Sequence, residues 1–278
     1  MEEEKSRLEI TGRKLVNLLL KHSLTIGSQT LEATSAVGSG KTAILLYLAS
    51  YLAKHYPEDR IFWNGSFFSP CQFLRFKKPI YDVYVQANRG IYFRDDKGKA
   101  VDLHQQEFKT YSELWNMSKP GRVSVIVLKD RTRMMDLIHD FRKNPGFITF
   151  ICDEAADIFP SDSSGSLYRR IKAFSEDMKE MRKYCKALYY CSQSTRDMDW
   201  RCRGKRSVVL YGPGSQTDKG TRVYQRSVDR LVRDEKGIQC YISWAGEFGK
   251  VVFNEWFGPA PNIMTFYEES ERNESETN

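Results

Sequence analysis

Residues 35–42 read Ser-Ala-Val-Gly-Ser-Gly-Lys-Thr and join two stretches of opposite character. Before them, Thr-Leu-Glu-Ala-Thr (30–34) is a short β-prone run. After them, residues 41–56 form a long, apolar, helix-prone run that Pro57 stops. Gly38 and Gly40 lack a Cβ, so the chain can curl tightly and aim successive N–H groups at one point. A strand, a glycine turn and a helix in that order are the opening of an α/β sheet, and short right-handed connections leave few other arrangements.

The rest of the chain repeats the alternation. "RIFWNGS", "IYDVYVQ" and "RVSVIVL" read as strands. "GIYFRDDKGKAVDL" reads as a hairpin turning at Asp96-Lys97-Gly98, and "RTRMMDLIHDFRK" as a helix ended by Asn144-Pro145-Gly146. "FITFIC" is an almost unbroken apolar run, as expected of a central parallel strand. Leu167, Ile171, Phe174, Met178, Met181 and Cys185 step by 4, 3, 4, 3 and 4, which predicts one apolar face of a long helix. "ALYYCSQ" and "RSVVLYG" follow as strands, and residues 238–257 read as a closing hairpin around Gly246. The expectation is a RecA-like α/β fold: a mostly parallel sheet flanked by helices, with a β-hairpin elaboration. Residues 1–10 read as a mobile acidic segment, 11–266 as one domain and 267–278 as a disordered acidic tail.

Composition bounds the partners. At 41% hydrophobic and 28% charged residues, the chain is ordinary for a globular protein. No apolar run approaches the roughly 20 residues of a membrane span, and "MEEEKSRLEI" has no apolar signal core. A cytoplasmic or virion-associated protein without membrane insertion is expected. The six cysteines contain no C-x-x-C pair and the four histidines are scattered, so no zinc site is expected. A net charge of +7 favours an anionic partner such as nucleic acid.

The loop fits the phosphate-binding pattern G-x-x-x-x-G-K-[ST], except that Ser35 stands where the first glycine usually does. In that pattern Ser35, Ala36, Val37, Gly38, Ser39, Gly40, Lys41 and Thr42 wrap the phosphates of ATP. Lys41 supplies charge to the β- and γ-phosphates and Thr42 a hydroxyl to Mg2+. Ser35 reads as a turn residue that the loop tolerates. The run "FITFICDEAADIFPS" supplies the partner site: its strand ends in Asp153-Glu154, at the carboxyl edge where α/β sheets bind ligands. Asp153 is placed to hold magnesium and Glu154 to act as general base on a water.

From here the sequence resembles the HerA/FtsK superfamily of ring-forming DNA-pumping ATPases. That group includes viral genome-packaging motors, conjugative coupling proteins and zonula-occludens-toxin-like assembly ATPases. The likeness lies in the acidic pair after an apolar strand, a helix ending in Arg182-Lys183, and a short strand ending in Ser192-Gln193 before "STRD"; it spans about residues 30 to 210. It implies that Gln193 senses the γ-phosphate and that Arg182 is a finger reaching the neighbouring subunit's nucleotide. Arg169 and Arg170 compete for that role, and a solvated charge is the other reading of Arg182.

Just after the sensor strand, "RDMDWRCRGKR" gathers Arg196, Arg201, Arg203, Lys205 and Arg206 around Trp200. Basic residues with an aromatic suit a nucleic-acid channel; a subunit interface is the other reading. The expected function is an ATPase that moves DNA, preferably double-stranded, through a homohexameric ring. It would act with a capsid or membrane partner protein in packaging, extrusion or conjugative transfer. A nucleotide-switched assembly protein with slow hydrolysis, and a replication helicase or initiator, are the competing readings.

Overall fold

Strands whose residues are buried on both faces organise the molecule. A computed structural model describes residues 9–26, 29–65, 72–75, 79–193, 198–231, 237–253 and 263–267. In chain order the elements are β1 (Glu9–Thr11), α1 (Gly12–Ile26), β2 (Thr30–Thr34), α2 (Lys41–His55), β3 (Arg60–Asn64), β4 (Tyr81–Gln86), β5 (Ile91–Arg94) and β6 (Gln106–Phe108). They continue as α3 (Tyr111–Met117), β7 (Val123–Val127), α4 (Met134–Phe141), β8 (Ile148–Cys152), α5 (Gly165–Met181) and β9 (Lys186–Ser192). The last are α6 (Trp200–Arg203), β10 (Val208–Tyr211), α7 (Gln225–Val228), β11 (Ile238–Trp244), β12 (Glu247–Phe253) and β13 (Met264–Tyr267).

Eleven strands form one sheet in the order β1-β12-β11-β10-β2-β9-β8-β3-β7-β4-β6. Only the pairings of β11 with β10 and with β12 are antiparallel. Every residue of β2, β7, β8 and β9 is buried. Alternate residues serve two cores, as the strand period of two requires. Ile61, Trp63, Ile151, Tyr189 and Cys191 pack with α1 and α2. Phe62, Phe150, Leu188 and Tyr190 face the opposite way, with α4 and α5. Phe62 anchors that second layer, its ring 5.0 Å from Phe141 and 5.8 Å from Phe150. Truncating such a buried Phe to Ala costs about 3–5 kcal/mol.

The observed sheet, flanking helices and closing β11–β12 hairpin agree with the expected architecture. Three local readings differ. Helix α1 is not among the expected elements, yet Leu15, Val16 and Leu19 are fully buried against the first core. The predicted hairpin at Asp96-Lys97-Gly98 does turn, with Gly98 at φ 77°, but its return arm shrinks to one bridge between Arg94 and Ala100. β5 instead pairs antiparallel with the distant β13. The α5 stripe stops at Met181; Cys185 lies beyond it at φ 56°, where the chain turns back to enter β9. Among the described residues, no helix is long and apolar enough to cross a membrane. Residues 1–8 and 268–278, most of the two polar ends, lie outside the described residues.

Candidate functional site

The glycine loop leaves β2 at the carboxyl edge of the sheet and is fastened to the exit of β10. Gly212 N donates to Thr34 O at 2.8 Å, and Ala36 N to Pro213 O at 3.0 Å. Gly38 and Gly40 take φ of 74° and 103°, the left-handed backbone that glycine permits. Gly40 is also crowded, since a Cβ there would lie 2.7 Å from Ile238 Cδ1. Lys41 folds back over the loop, its Nζ donating to Ser35 O at 2.8 Å and Ala36 O at 3.0 Å. Ser39 Oγ lies 2.5 Å from both Ser35 Oγ and Ala36 O. Ser35 is therefore a buried, partnered part of the loop rather than a passive turn residue. Val37, 78% exposed, forms the loop's outer tip.

β8 is next but one to β2, and β9 lies between them. That order brings the acid pair to the loop. Thr42 Oγ1 donates to the Asp153 carboxylate, 3.0 and 3.1 Å from its two oxygens. Gln193 Nε2 donates to Glu154 Oε2 at 3.0 Å. Cys191 Sγ donates to Asp153 Oδ1 at 2.9 Å. Burial raises both carboxyls above their ordinary values; for Glu154 the adjacent Asp153 charge adds to the rise, while the Gln193 hydrogen bond opposes it. A hydroxyl beside a buried carboxylate is a hard oxygen donor set that suits Mg2+. Lys41, Thr42, Asp153, Glu154 and Gln193 are thus gathered at one edge of the sheet.

The arginines divide differently. Arg182 opens the short 3-10 turn Arg182–Tyr184 after α5, and its side chain lies outside the described part of the structure. Arg169 is exposed on α5. Arg170 is held by Asp136 Oδ2 at 2.8 Å and by Thr132, which occupies it within the chain.

The basic tract is not the uniform cationic strip that its sequence suggests. Arg196 lies outside the described residues. Arg201 bonds Asp199 through Nε at 2.9 Å and Nη2 at 2.6 Å, and its guanidinium stacks 4.2 Å over Tyr168. Arg206 turns inward and pairs with Glu32 and Asp218. Burial works against its charge, and the two carboxylates outweigh burial. Arg206 is thus corrected from a nucleic-acid contact to an internal ion pair, because the buried Glu32 needs a cation. Arg203 and Lys205 are partly exposed, and Trp200 is 71% exposed.

Several site residues escaped the sequence reading. Arg131, 9% exposed, reaches under the acid pair to donate to Asp153 O at 2.7 Å, and also contacts Asn64 and Asp157. Asn64 ends β3, and Asp153 N donates to its carbonyl at 2.9 Å. The signal for Asn64 was a polar residue ending an apolar strand; Arg131 and Cys191 had none that local pattern could supply. Glu32 was passed over as well, although it is a carboxylate in the middle of the short strand β2.

No family model matches the chain, and no curated protein matches its sequence. Among solved structures it is similar to the genome packaging NTPase B204 of Sulfolobus turreted icosahedral virus 2, in complex with sulfate. The identity is 11% over 81% of this chain and 98% of that one, with a TM-score of 0.48. It is also similar to the N-terminal domain of zonular occludens toxin from Neisseria meningitidis, at 12% identity over 88% and 96% of the two chains and a TM-score of 0.34. A third likeness is to a DnaB-like replicative helicase, at 13% identity over 82% of this chain and 57% of that one, with a TM-score of 0.42.

Proposed function

We propose that the chain is an ATPase whose hydrolysis drives DNA through a ring of identical subunits, a hexamer in the simplest case. The observation that carries the catalytic part is the pairing of Thr42 with Asp153 and of Glu154 with Gln193 at neighbouring strand ends. Thr42 and Asp153 would hold Mg2+, which when bound neutralises charge on the β- and γ-phosphates. Lys41 exchanges the Ser35 and Ala36 carbonyls for phosphate oxygens. Glu154 accepts a proton from the water as it attacks the γ-phosphorus, and burial raises its carboxyl, which makes it a stronger base. Gln193 holds the Glu154 carboxylate in place and lies where it can contact both that water and the departing phosphate. Arg182 completes the site from the neighbouring subunit; Arg169 is the other candidate, while the tie of Arg170 to Asp136 weighs against it.

DNA contact falls to Arg196, Arg203, Lys205 and Trp200, together with Arg201, which Asp199 anchors. Residues 11–266 act as one motor domain, with double-stranded DNA as the preferred track and a capsid or membrane protein as the docking partner. ATP turnover measured with and without double- and single-stranded DNA tests the reading. Wild type should be stimulated by DNA, and Glu154→Gln should bind ATP without turning it over. No DNA effect together with normal hydrolysis by Glu154→Gln refutes it. Mixing Arg182→Ala with Lys41→Ala subunits should restore activity if the finger works in trans; no rescue at any ratio removes Arg182 from the role.

A further inference from the structure

Glu154 has φ 75° and ψ 86°, a left-handed backbone that is strained for a residue with a Cβ. Something must hold it there, and the peptide joining Asp153 to Glu154 is gripped at both ends. Its carbonyl accepts from Arg131 Nη2 at 2.7 Å. Its N–H donates to Cys191 Sγ at 3.3 Å. Neither partner lies on β8. Cys191 belongs to β9 on one side, and Arg131 follows β7 and reaches across the end of β3 on the other.

Both grips are themselves fixed. Arg131 also donates to Asn64 Oδ1 at 3.3 Å, and Asn64 Nδ2 is anchored to Ile126 O at 3.1 Å. The same guanidinium bonds Asp157, so it holds the turn after Glu154 as well as the peptide before it. The Cys191 thiol is only 1% exposed. It gives its proton to Asp153 Oδ1 and receives the Glu154 N–H, linking the two acids through one sulfur.

We propose that Arg131 and Cys191 are positioning residues: a clamp on the Asp153–Glu154 peptide that aims the Glu154 carboxylate at Gln193 and the attacking water. The proposal rests on the hydrolytic reading of the site. Its logic is geometric, because displacing a reacting group by about 1 Å can cost around 100-fold in rate. A relaxed peptide would swing the carboxylate at least that far. Thr42 meets the clamp only through Asp153, and Lys41 is held by the loop carbonyls, so losing the clamp should weaken nucleotide binding far less than the chemical step.

The test compares Arg131→Met, Arg131→Lys, Cys191→Ala and Cys191→Ser, each checked by thermal melting. Arg131→Met and Cys191→Ala should lower kcat about 100-fold, with KM and the Kd of a fluorescent ATP analogue moving less than about threefold. Cys191→Ser keeps a hydroxyl that both donates and accepts, and should recover most of the rate; Arg131→Lys should recover part. Equal losses in kcat and nucleotide affinity, or full activity in Cys191→Ala, overturn the clamp. Crystal structures of wild type, Arg131→Met and Cys191→Ala give a readout that needs no turnover. Glu154 should hold positive φ in wild type and leave it in the variants. Positive φ retained in both variants overturns the clamp even if the chain hydrolyses nothing, whereas loss of Glu154-dependent hydrolysis in wild type alone strikes only the functional reading.

Discussion

Asp59 should make the protein lose stability as pH rises from about 4 to about 7. It precedes β3, is 1% exposed, and accepts one hydrogen bond on its carboxylate, from Thr149 Oγ1 at 2.7 Å. Its other oxygen, Oδ1, is buried without a partner among the described residues. Burial pushes the carboxyl from an ordinary 3.8 up to about 7; the Thr149 hydrogen bond and the Lys186 charge offset only part of that. Between those two values the folded state keeps a proton that the unfolded state has released. Stability therefore falls with pH across that window and levels off above it. About three pH units at 1.36 kcal/mol each gives a loss of roughly 4 kcal/mol. Asp59→Asn keeps an acceptor for Thr149 and removes the titration. Denaturant unfolding of both proteins at half-unit steps from pH 4.5 to 7.5 isolates the effect, because Glu32, Asp153 and Glu154 are common to both and cancel. The variant should gain on wild type steadily with rising pH. A difference that stays constant within about 0.5 kcal/mol would show that Asp59 is solvated or paired in a way the packing around it contradicts.

Two further outcomes follow from the loop and the internal ion pairs. A Cβ on Gly214 would sit 2.7 Å from Ala36 Cβ, at a φ of 74° that already disfavours it. Gly214→Ala should weaken binding of a fluorescent ATP analogue about tenfold or more, at a strain of about 1–3 kcal/mol, with the overall fold retained by circular dichroism. Arg206→Met should destabilise the chain by about 3–5 kcal/mol in denaturant titration, because it strands the buried Glu32, and Glu32→Gln should cost less, because Asp218 still pairs with Arg206. The Glu32→Leu, Arg206→Met double variant should cost clearly less than the two singles added together.

What could be read in the sequence was what neighbours along the chain determine. The run from Thr30 to His55 carries its own turn and helix signals. The apolar strands end visibly at Asp153-Glu154 and at Gln193. The hidden parts depend on which strands lie side by side. Asn64 reaches the acid pair because β3 lies beside β8, Arg131 because β7 lies just beyond β3, and Cys191 because β9 lies on the other side of β8. No local pattern encodes that order. The basic tract misled for a related reason: five cations in eleven residues look alike on paper, but Asp199 sits two residues from Arg201, and Glu32 waits on a strand far upstream of Arg206. Helix α1 does carry a one-sided apolar stripe, Leu15, Val16 and Leu19, that the sequence reading passed over.

The position of β2 has a consequence for how the protein is made. This strand ends at Thr34, yet its two neighbours in the sheet are β9, which starts at Lys186, and β10, which starts at Val208. At about 5–20 residues per second of synthesis, the strand waits on the order of ten seconds or more beside the ribosome with both edges bare. During that interval its buried Leu31 and Ala33 lack the strands that flank them. Pairings so distant in sequence also form slowly. Nascent chains should therefore depend on chaperones, and a ribosome stalled before Lys186 should release a product prone to aggregate. The phosphate cradle is synthesised well before the strands that flank it and takes its shape only after them.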